Sequence, residues 1–226
     1  MKGLAIPDIN IDFVGELIKR IERKLDSTQY DLLLFNMKRK REISRYFREN
    51  AAFKKKIDAL IIFSSILDDE CVDFFRSMKI PIVLLPSRCS REKSISTNNY
   101  LGAFDAVQFL IDRGYREIAF VGWKPEDDHI NDRFNGYKNA IEKAGFVFKQ
   151  EMTSFTSLSI AGGYEATIEI FERCRPDAVF YACDSMAFGG YQYYKEQNIL
   201  IPDNLGLIGF DDLEMATVMG LTTMKQ

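Results

Sequence analysis

Residues 181–189 read YACDSMAFG, residues 208–212 read IGFDD, and the sequence closes on LTTMKQ at residues 221–226. In each of the first two segments, a short apolar run stops abruptly at acidic side chains. That pattern is typical of a buried parallel strand that carries polar groups at its carboxyl end. Because ligands of open α/β sheets bind at such ends, the two segments indicate a binding site at the edge of a parallel sheet.

The rest of the chain alternates strand patterns with amphipathic helix patterns. Short apolar runs predict two series of strands, at residues 3–7, 32–35, 59–63 and 82–85, and at residues 118–122, 178–182 and 207–210. Helical spacing predicts the helices between them, at residues 14–25, 68–78, 101–111, 132–144, 160–174 and 185–197. This alternation predicts the α/β class, with parallel strands and helices on both faces.

One pattern occurs twice along the chain. The segments DALIIF at residues 58–63 and DAVFYA at residues 177–182 each precede a helix, an Ile-Pro pair and a further strand. The repeat favours two similar lobes of about 100 residues each. We expect the first lobe to span residues 1–113 and the second to span residues 114–226. The alternative is a coincidence, since any two α/β units share such patterns for reasons of burial.

Composition favours a soluble, cytoplasmic chain that does not contact a membrane. With 226 residues, of which 46% are hydrophobic, the chain can bury a sizeable core. No apolar stretch approaches the roughly 18 residues that a membrane span needs. The first residues also lead directly into a strand pattern, where a signal peptide would begin differently.

Residue usage argues against metal, cofactor and enzyme chemistry. The four cysteines form no CxxC pair, and His129 is the only histidine, so we expect neither a zinc site nor a disulfide framework nor a bound cofactor. No GxGxxG or P-loop follows a strand, and no Ser/His/Asp or Cys/His set can be assembled around His129.

A net charge of −3 argues against nucleic-acid binding by this chain alone. Its basic runs, at residues 38–41 and 54–56, are interpreted first as solvated surface. The alternative is a contact with nucleic acid or a partner.

Several short motifs occur in the order and spacing of a known family. Beyond the segments quoted first, they are IPDI at residues 6–9 followed by Phe13, NN at 98–99, GA at 102–103, REIAFVG at 116–122, GY at 136–137 and GYEA at 163–166. Over nearly all of its length, the chain resembles the effector-binding region of the LacI/GalR family of transcription regulators. That region shares its fold with periplasmic sugar-binding proteins.

The resemblance implies two similar Rossmann-like lobes of the type I periplasmic-binding-protein kind. It implies a small-molecule effector, a sugar or sugar derivative, that binds between the lobes. Closure on the effector would alter the DNA affinity of an attached helix-turn-helix headpiece in a homodimer. We expect the natural protein to extend beyond both ends of this chain, because the family's headpiece lies before residue 1 and its segment completing the first lobe lies after residue 226. The alternative functions are a solute-binding protein of a sugar transport system and, less favoured, an α/β enzyme.

The resemblance also indicates which residues contact the effector. A sugar or a nucleobase needs a pocket with charged or polar hydrogen-bonding side chains and an apolar wall, and Arg133 and Asp211 meet the polar requirement. Their alternative roles are an exposed cation at a helix start and a turn cap. The other candidate contacts are Phe13, Ser64, Asn99, Leu158 and Cys183.

Two further residues have roles that the resemblance does not give, and four positions depart from the family pattern. Asp184 is expected to cap the helix that follows it, which typically contributes about 1 kcal/mol. Trp123 either packs in the core or covers a ligand as a stacking surface or lid. The departures are the Ile-Asp pair at residues 11–12, Asn98 and Cys183, and they leave the identity of the ligand open.

Overall fold

Across the residues that the structure describes, two sheets with five parallel strands each organise the fold. The computed structural model describes residues 1–9, 12–37, 43–49, 56–63, 67, 69–85, 92–124 and 128–226. These form two compact units, Met1–Thr97 and Asn98–Gln226. No helix in the described ranges is both long and apolar enough to cross a bilayer.

The first unit contains strands β1 to β5 and helices α1 to α3. In chain order they are β1 (Lys2–Ile6), α1 (Asp12–Leu25), β2 (Leu32–Asn36), α2 (Ile43–Glu49), β3 (Ala59–Phe63), α3 (Asp69–Ser77), β4 (Ile82–Leu85) and β5 (Lys93–Ser94). The strand order is β2-β1-β3-β4-β5. Because successive residues of a strand point to opposite faces, Ala5 joins a core with Phe47 and Phe75, whereas Leu4 and Ile6 join another cluster on α1.

The second unit contains strands β6 to β10 and helices α4 to α8. In chain order they are α4 (Asn99–Asp112), β6 (Ile118–Trp123), α5 (Asp128–Lys143), β7 (Thr153–Thr156), α6 (Ile160–Arg173), β8 (Ala178–Tyr181), α7 (Asp184–Glu196), β9 (Gly206–Phe210), α8 (Glu214–Met219) and β10 (Thr222–Met224). The strand order is β10-β9-β8-β6-β7. Phe120 lies inside the core, with its ring centroid 5.2 Å from that of Tyr137 and 5.7 Å from that of Phe180.

The two sheets share one topology. Within each unit, the second strand lies at one edge, followed by the first, third, fourth and fifth. The repeated segments DALIIF and DAVFYA contain β3 and β8, which are the third strands of their sheets. The aspartates just before these two strands also match. The backbone N–H of Asp58 donates to the carbonyl oxygen of Met1, and that of Asp177 donates to the carbonyl oxygen of Glu117, each at 2.9 Å. The predicted α/β class with two similar parallel lobes is confirmed.

The units divide at a different place from the expected lobe boundary between residues 113 and 114. Helix α4 belongs to the second unit, which begins at Asn98. Its buried residues Ala103, Val107 and Leu110 belong to the core that contains Phe120. The sequence pattern shows that this helix has an apolar face, but not which sheet the face covers.

Helices α6 and α7 approach each other at backbone distance. A Cβ atom on Gly163 would overlap the carbonyl oxygen of Met186, and one on Gly189 would overlap that of Ile160. Next to this contact, the buried hydroxyl of Tyr181 is 2.6 Å from Thr167 Oγ1 and 2.7 Å from the hydroxyl of Tyr194. Burial raises the pKa of Tyr181 and of Tyr194, so both phenols stay protonated and bridge the helices and β8.

Candidate functional site

The candidate residues of the second unit gather where its strand order reverses. From β6, the next strand in sequence, β7, lies on one side, whereas β8 and β9 lie on the other. A crevice opens beyond the carboxyl ends of the strands at such a reversal, and ligands of α/β sheets bind there. Trp123 ends β6, Ala182 follows β8, and Asp211 follows β9. The fold therefore brings these three positions to one edge.

Arg133 is a buried residue of α5, with 6% of its side chain exposed. Because α5 begins at Asp128, four residues before the predicted start, Arg133 lies in the second turn. Its Nε donates to Asn99 Oδ1 at 2.8 Å, and its Nη1 donates to the carbonyl oxygen of Ala182. The guanidinium carbon lies 3.8 Å from the ring centroid of Phe210. Arg133 is thus not an exposed cation at a helix start.

Asp211 completes this cluster from the end of β9. Its side chain is 9% exposed, and its Oδ1 accepts from Arg133 Nη1 at 3.3 Å and from Gln226 Nε2. Burial raises the pKa of Asp211 to about 6, and the nearby Arg133 limits that rise. Asp211 also has φ of 120° and Asp212 has φ of 55°, values that are rare for residues with a side chain. Backbone strain of this kind concentrates at functional sites.

The sequence predicted that Asp184 caps α7, and this prediction is wrong. Cys183 occupies the N-cap position, and Asp184 is the first helical residue. The Asp184 carboxylate is fully buried, and it accepts from the backbone N–H of Leu213 at 2.9 Å and from Thr223 Oγ1 at 2.6 Å. Burial raises the pKa of this carboxyl group. Asp184 therefore joins the start of α7 to the loop after β9 and to β10.

Cys183 brings a small, neutral thiol to the same edge. It is 3% exposed, and burial raises its pKa, with a further contribution from the negative charge of Asp211. The thiol therefore stays protonated near neutral pH. Cys183 therefore offers a ligand only a weak hydrogen-bonding group.

The remaining predicted contacts are divided among several places. Asn99 is the first residue of α4, is 2% exposed and belongs to the Arg133 cluster. Leu158 lies in the loop between β7 and α6, 37% exposed, and does not take part in the hydrogen bonds of that cluster. Phe13 lies in the first unit, where its ring stacks on Phe63 with 5.8 Å between centroids. Ser64 lies outside the described residues.

Four groups of this site were missed from the sequence. Phe210 is indistinguishable from any core residue of a strand, and Ala182 contributes only a backbone oxygen. Gln226 and His129 contact the cluster through Asp211 and Asn99, respectively. Trp123 is partly buried against the core, and its ring centroid lies 5.7 Å from the Arg133 guanidinium carbon, so it fits both interpretations given to it.

Comparisons with a family model and with related proteins point to the same family. A family model described as a periplasmic binding protein-like domain matches residues 107–226. The HTH-type transcriptional regulator RegA of Clostridium acetobutylicum is 30% identical over 99% of this chain and 69% of its own length. The ribose operon repressor of Escherichia coli is 27% identical, over 99% of this chain and 69% of its own length. The chain thus spans about two thirds of the length of these relatives.

Solved structures agree with the sequence relatives. A LacI family transcriptional regulator from Enterococcus faecium, crystallised with bound ribose, superposes with a TM-score of 0.86 at 25% identity. The match covers 100% of this chain and 83% of that one. The fold, the family model and the RegA identity together show that this chain belongs to the LacI/GalR family of transcription regulators, whose periplasmic-binding-protein-like region it represents.

Proposed function

We propose that this chain is the effector-sensing region of a bacterial LacI-type regulator, and that its second unit binds a sugar or sugar derivative through Arg133 and Asp211. The observation that carries the proposal is the buried pair of these residues at the carboxyl edge of the second sheet. Two relatives point to the same ligand class, since one is a ribose operon repressor and one was crystallised with ribose.

The hydrogen bonds of this pair leave specific groups available to a ligand. Arg133 uses Nε once and Nη1 twice, and Asp211 uses Oδ1 twice. Within the described part of the chain, no hydrogen bond uses Arg133 Nη2 or Asp211 Oδ2. A donor pair on Nη2 next to an acceptor on Oδ2 suits neighbouring hydroxyl groups of a sugar, which can both donate and accept. The rings of Phe210 and Trp123 provide apolar surface beside them.

The proposal extends to regulation in the full-length protein. Effector binding would shift the population between two arrangements of the regulator, and the arrangement with bound effector would differ in DNA affinity. Helix α8 exposes Met215 by 52% and Val218 by 76%, an apolar surface that suits contact with a second copy in a homodimer. We place this regulator in the cytoplasm. A solute-binding role in transport is not favoured by the relatives, which are regulators.

A ligand panel with matched variants tests the sugar site. We expect one of D-ribose, D-glucose or cellobiose to raise the melting temperature of the parent, because a ligand at 100 times its Kd stabilises the folded state by about 2.7 kcal/mol. Arg133→Ala and Asp211→Ala should abolish this response. Lys138→Ala, on the same helix, removes an exposed ion pair with Glu142 and should respond like the parent. Unchanged affinity in both site variants, by calorimetric titration, would disprove the assignment.

A further inference from the structure

His129 contacts the candidate site through Asn99. It is the only histidine in the chain and belongs to the first turn of α5. Its Nδ1 is 3.2 Å from Asn99 Nδ2. The same amide group, through Oδ1, accepts from Arg133 Nε at 2.8 Å. One amide thus connects the ring of His129 to the guanidinium of Arg133.

The donor and acceptor roles along this connection are determined. Arg133 has no acceptor, so Asn99 must present its oxygen to Nε and its NH2 group to His129. His129 Nδ1 must then accept, which places the proton of the neutral ring on Nε2. If the amide turned over, its N–H groups would face the N–H of Arg133. With the proton on Nε2, His129 favours the same orientation of Asn99 that Arg133 requires.

We propose that His129 is a positioning residue of the effector site, which acts on Arg133 through Asn99. The inference rests on the proposed sugar site and identifies a residue that prepares it. Arginine loses much side-chain freedom when it is fixed, and a ligand binds more tightly when that loss precedes binding. Asn99 is 2% exposed, so water competes poorly for its amide. The hydrogen bond from Asn99 to His129 can therefore fix the amide that accepts from the Arg133 guanidinium.

Affinity measurements on two His129 variants test this role. We expect His129→Ala to weaken D-ribose binding by about three- to tenfold, the effect of one neutral hydrogen bond. His129→Gln should stay within about twofold of the parent, because its amide oxygen can accept from Asn99. The matched control is Asn139→Ala, which removes a 3.1 Å bond from Asn139 on α5 to the Tyr100 hydroxyl on α4. Parent-like affinity in His129→Ala, or equal losses in His129→Ala and Asn139→Ala, would overturn the proposal.

A second measurement needs no ligand. With 15N-labelled histidine, long-range proton–nitrogen spectra of the parent should show neutral His129 protonated on Nε2, and His129→Gln identifies its signals. A ring protonated on Nδ1 would overturn the inference whatever the ligand. A parent that binds none of the sugars would instead contradict the proposed function, and the tautomer would still decide the role of His129.

Discussion

Burial and ion pairing shift the pKa of Asp211 in opposite directions. Burial raises its pKa to about 6 although Arg133 is 3.3 Å away. If sugar hydroxyls donate to this carboxylate, binding requires its ionised form. We therefore expect D-ribose affinity to fall below about pH 6, by up to about tenfold per pH unit. Titration calorimetry from pH 8 to pH 5 measures this. Asp211→Asn should bind weakly at every pH, and a pH-independent Kd in the parent would contradict the carboxylate's role.

The same residue has a predictable effect on stability. Its pKa in the folded state exceeds the ordinary value of 3.8. Asp211 therefore stabilises the fold below about pH 4, and this contribution is lost as the pH rises through about 6. Raising the pH from 4 to 7.5 should lower the unfolding free energy of the parent relative to Asp211→Asn by up to about 3 kcal/mol. Urea denaturation of both proteins at the two pH values measures the difference. Parallel pH profiles would show that the carboxylate is not desolvated.

Residues differ in how far the sequence determines their roles. Apolar runs that end at Asp184 and Asp211 correctly place both carboxylates at strand ends, because a buried strand can only end where polar groups regain water or partners. The partner of Asp184 could not be predicted in this way, since Thr223 lies 39 residues further along the chain. Local pattern favours a helix cap, and tertiary contact with β10 overrides that preference.

At the scale of elements, the contact between α6 and α7 depends on glycine. We expect Gly163→Ala to lower the unfolding free energy by about 1–3 kcal/mol or more, because its Cβ would overlap the Met186 carbonyl oxygen. Gly15 in α1 is the matched control, since the described residues leave open space around it. Gly15→Ala should stabilise the helix by about 0.5–1 kcal/mol. Thermal melts followed by circular dichroism test both changes, and an equally stable Gly163→Ala would show that the helices can separate at little cost.

Element boundaries show why sequence patterns lose information at helix starts. Helix α5 was predicted from residue 132, yet it begins at Asp128. Its first turn has one apolar residue, Ile130, among Asp128, His129 and Asn131, so hydrophobic periodicity does not mark the turn, and Arg133 was placed too close to the helix start. The seven predicted strands, in contrast, agree with their apolar runs within a residue or two, because most of them are buried and leave a continuous signal. Strands β5, β7 and β10 lack such apolar runs and were not predicted.

For the whole molecule, the testable question is which residues form the second folding unit. We expect residues 98–226 to unfold cooperatively and residues 114–226 to lack a sharp transition. The shorter fragment loses α4, whose Ala103, Ala106 and Leu110 are 0–2% exposed in the core of this unit. Removing α4 exposes the apolar surface that it covers, and each Å² exposed costs about 25 cal/mol of stability. Equally sharp melting of the two fragments would favour the boundary predicted from the sequence.

The duplicated topology explains why the overall fold was predictable and the site only partly so. Each half repeats the same alternation of strands and helices, and this alternation permits few topologies. The site, however, depends on long-range partners such as Phe210 beneath Arg133 and Gln226 against Asp211. Neither pair has a local sequence signature. Only the family motifs indicated that Arg133 and Asp211 act together.

The chain contains one tryptophan, and its position has a practical consequence. The indole of Trp123 lies 5.7 Å from the Arg133 guanidinium carbon. Indole emission depends on the charge and the water around the ring, and a molecule bound to Arg133 changes both. The chain thus carries an intrinsic optical probe at its candidate site. Occupancy can be followed from emission wavelength and intensity without a dye or label.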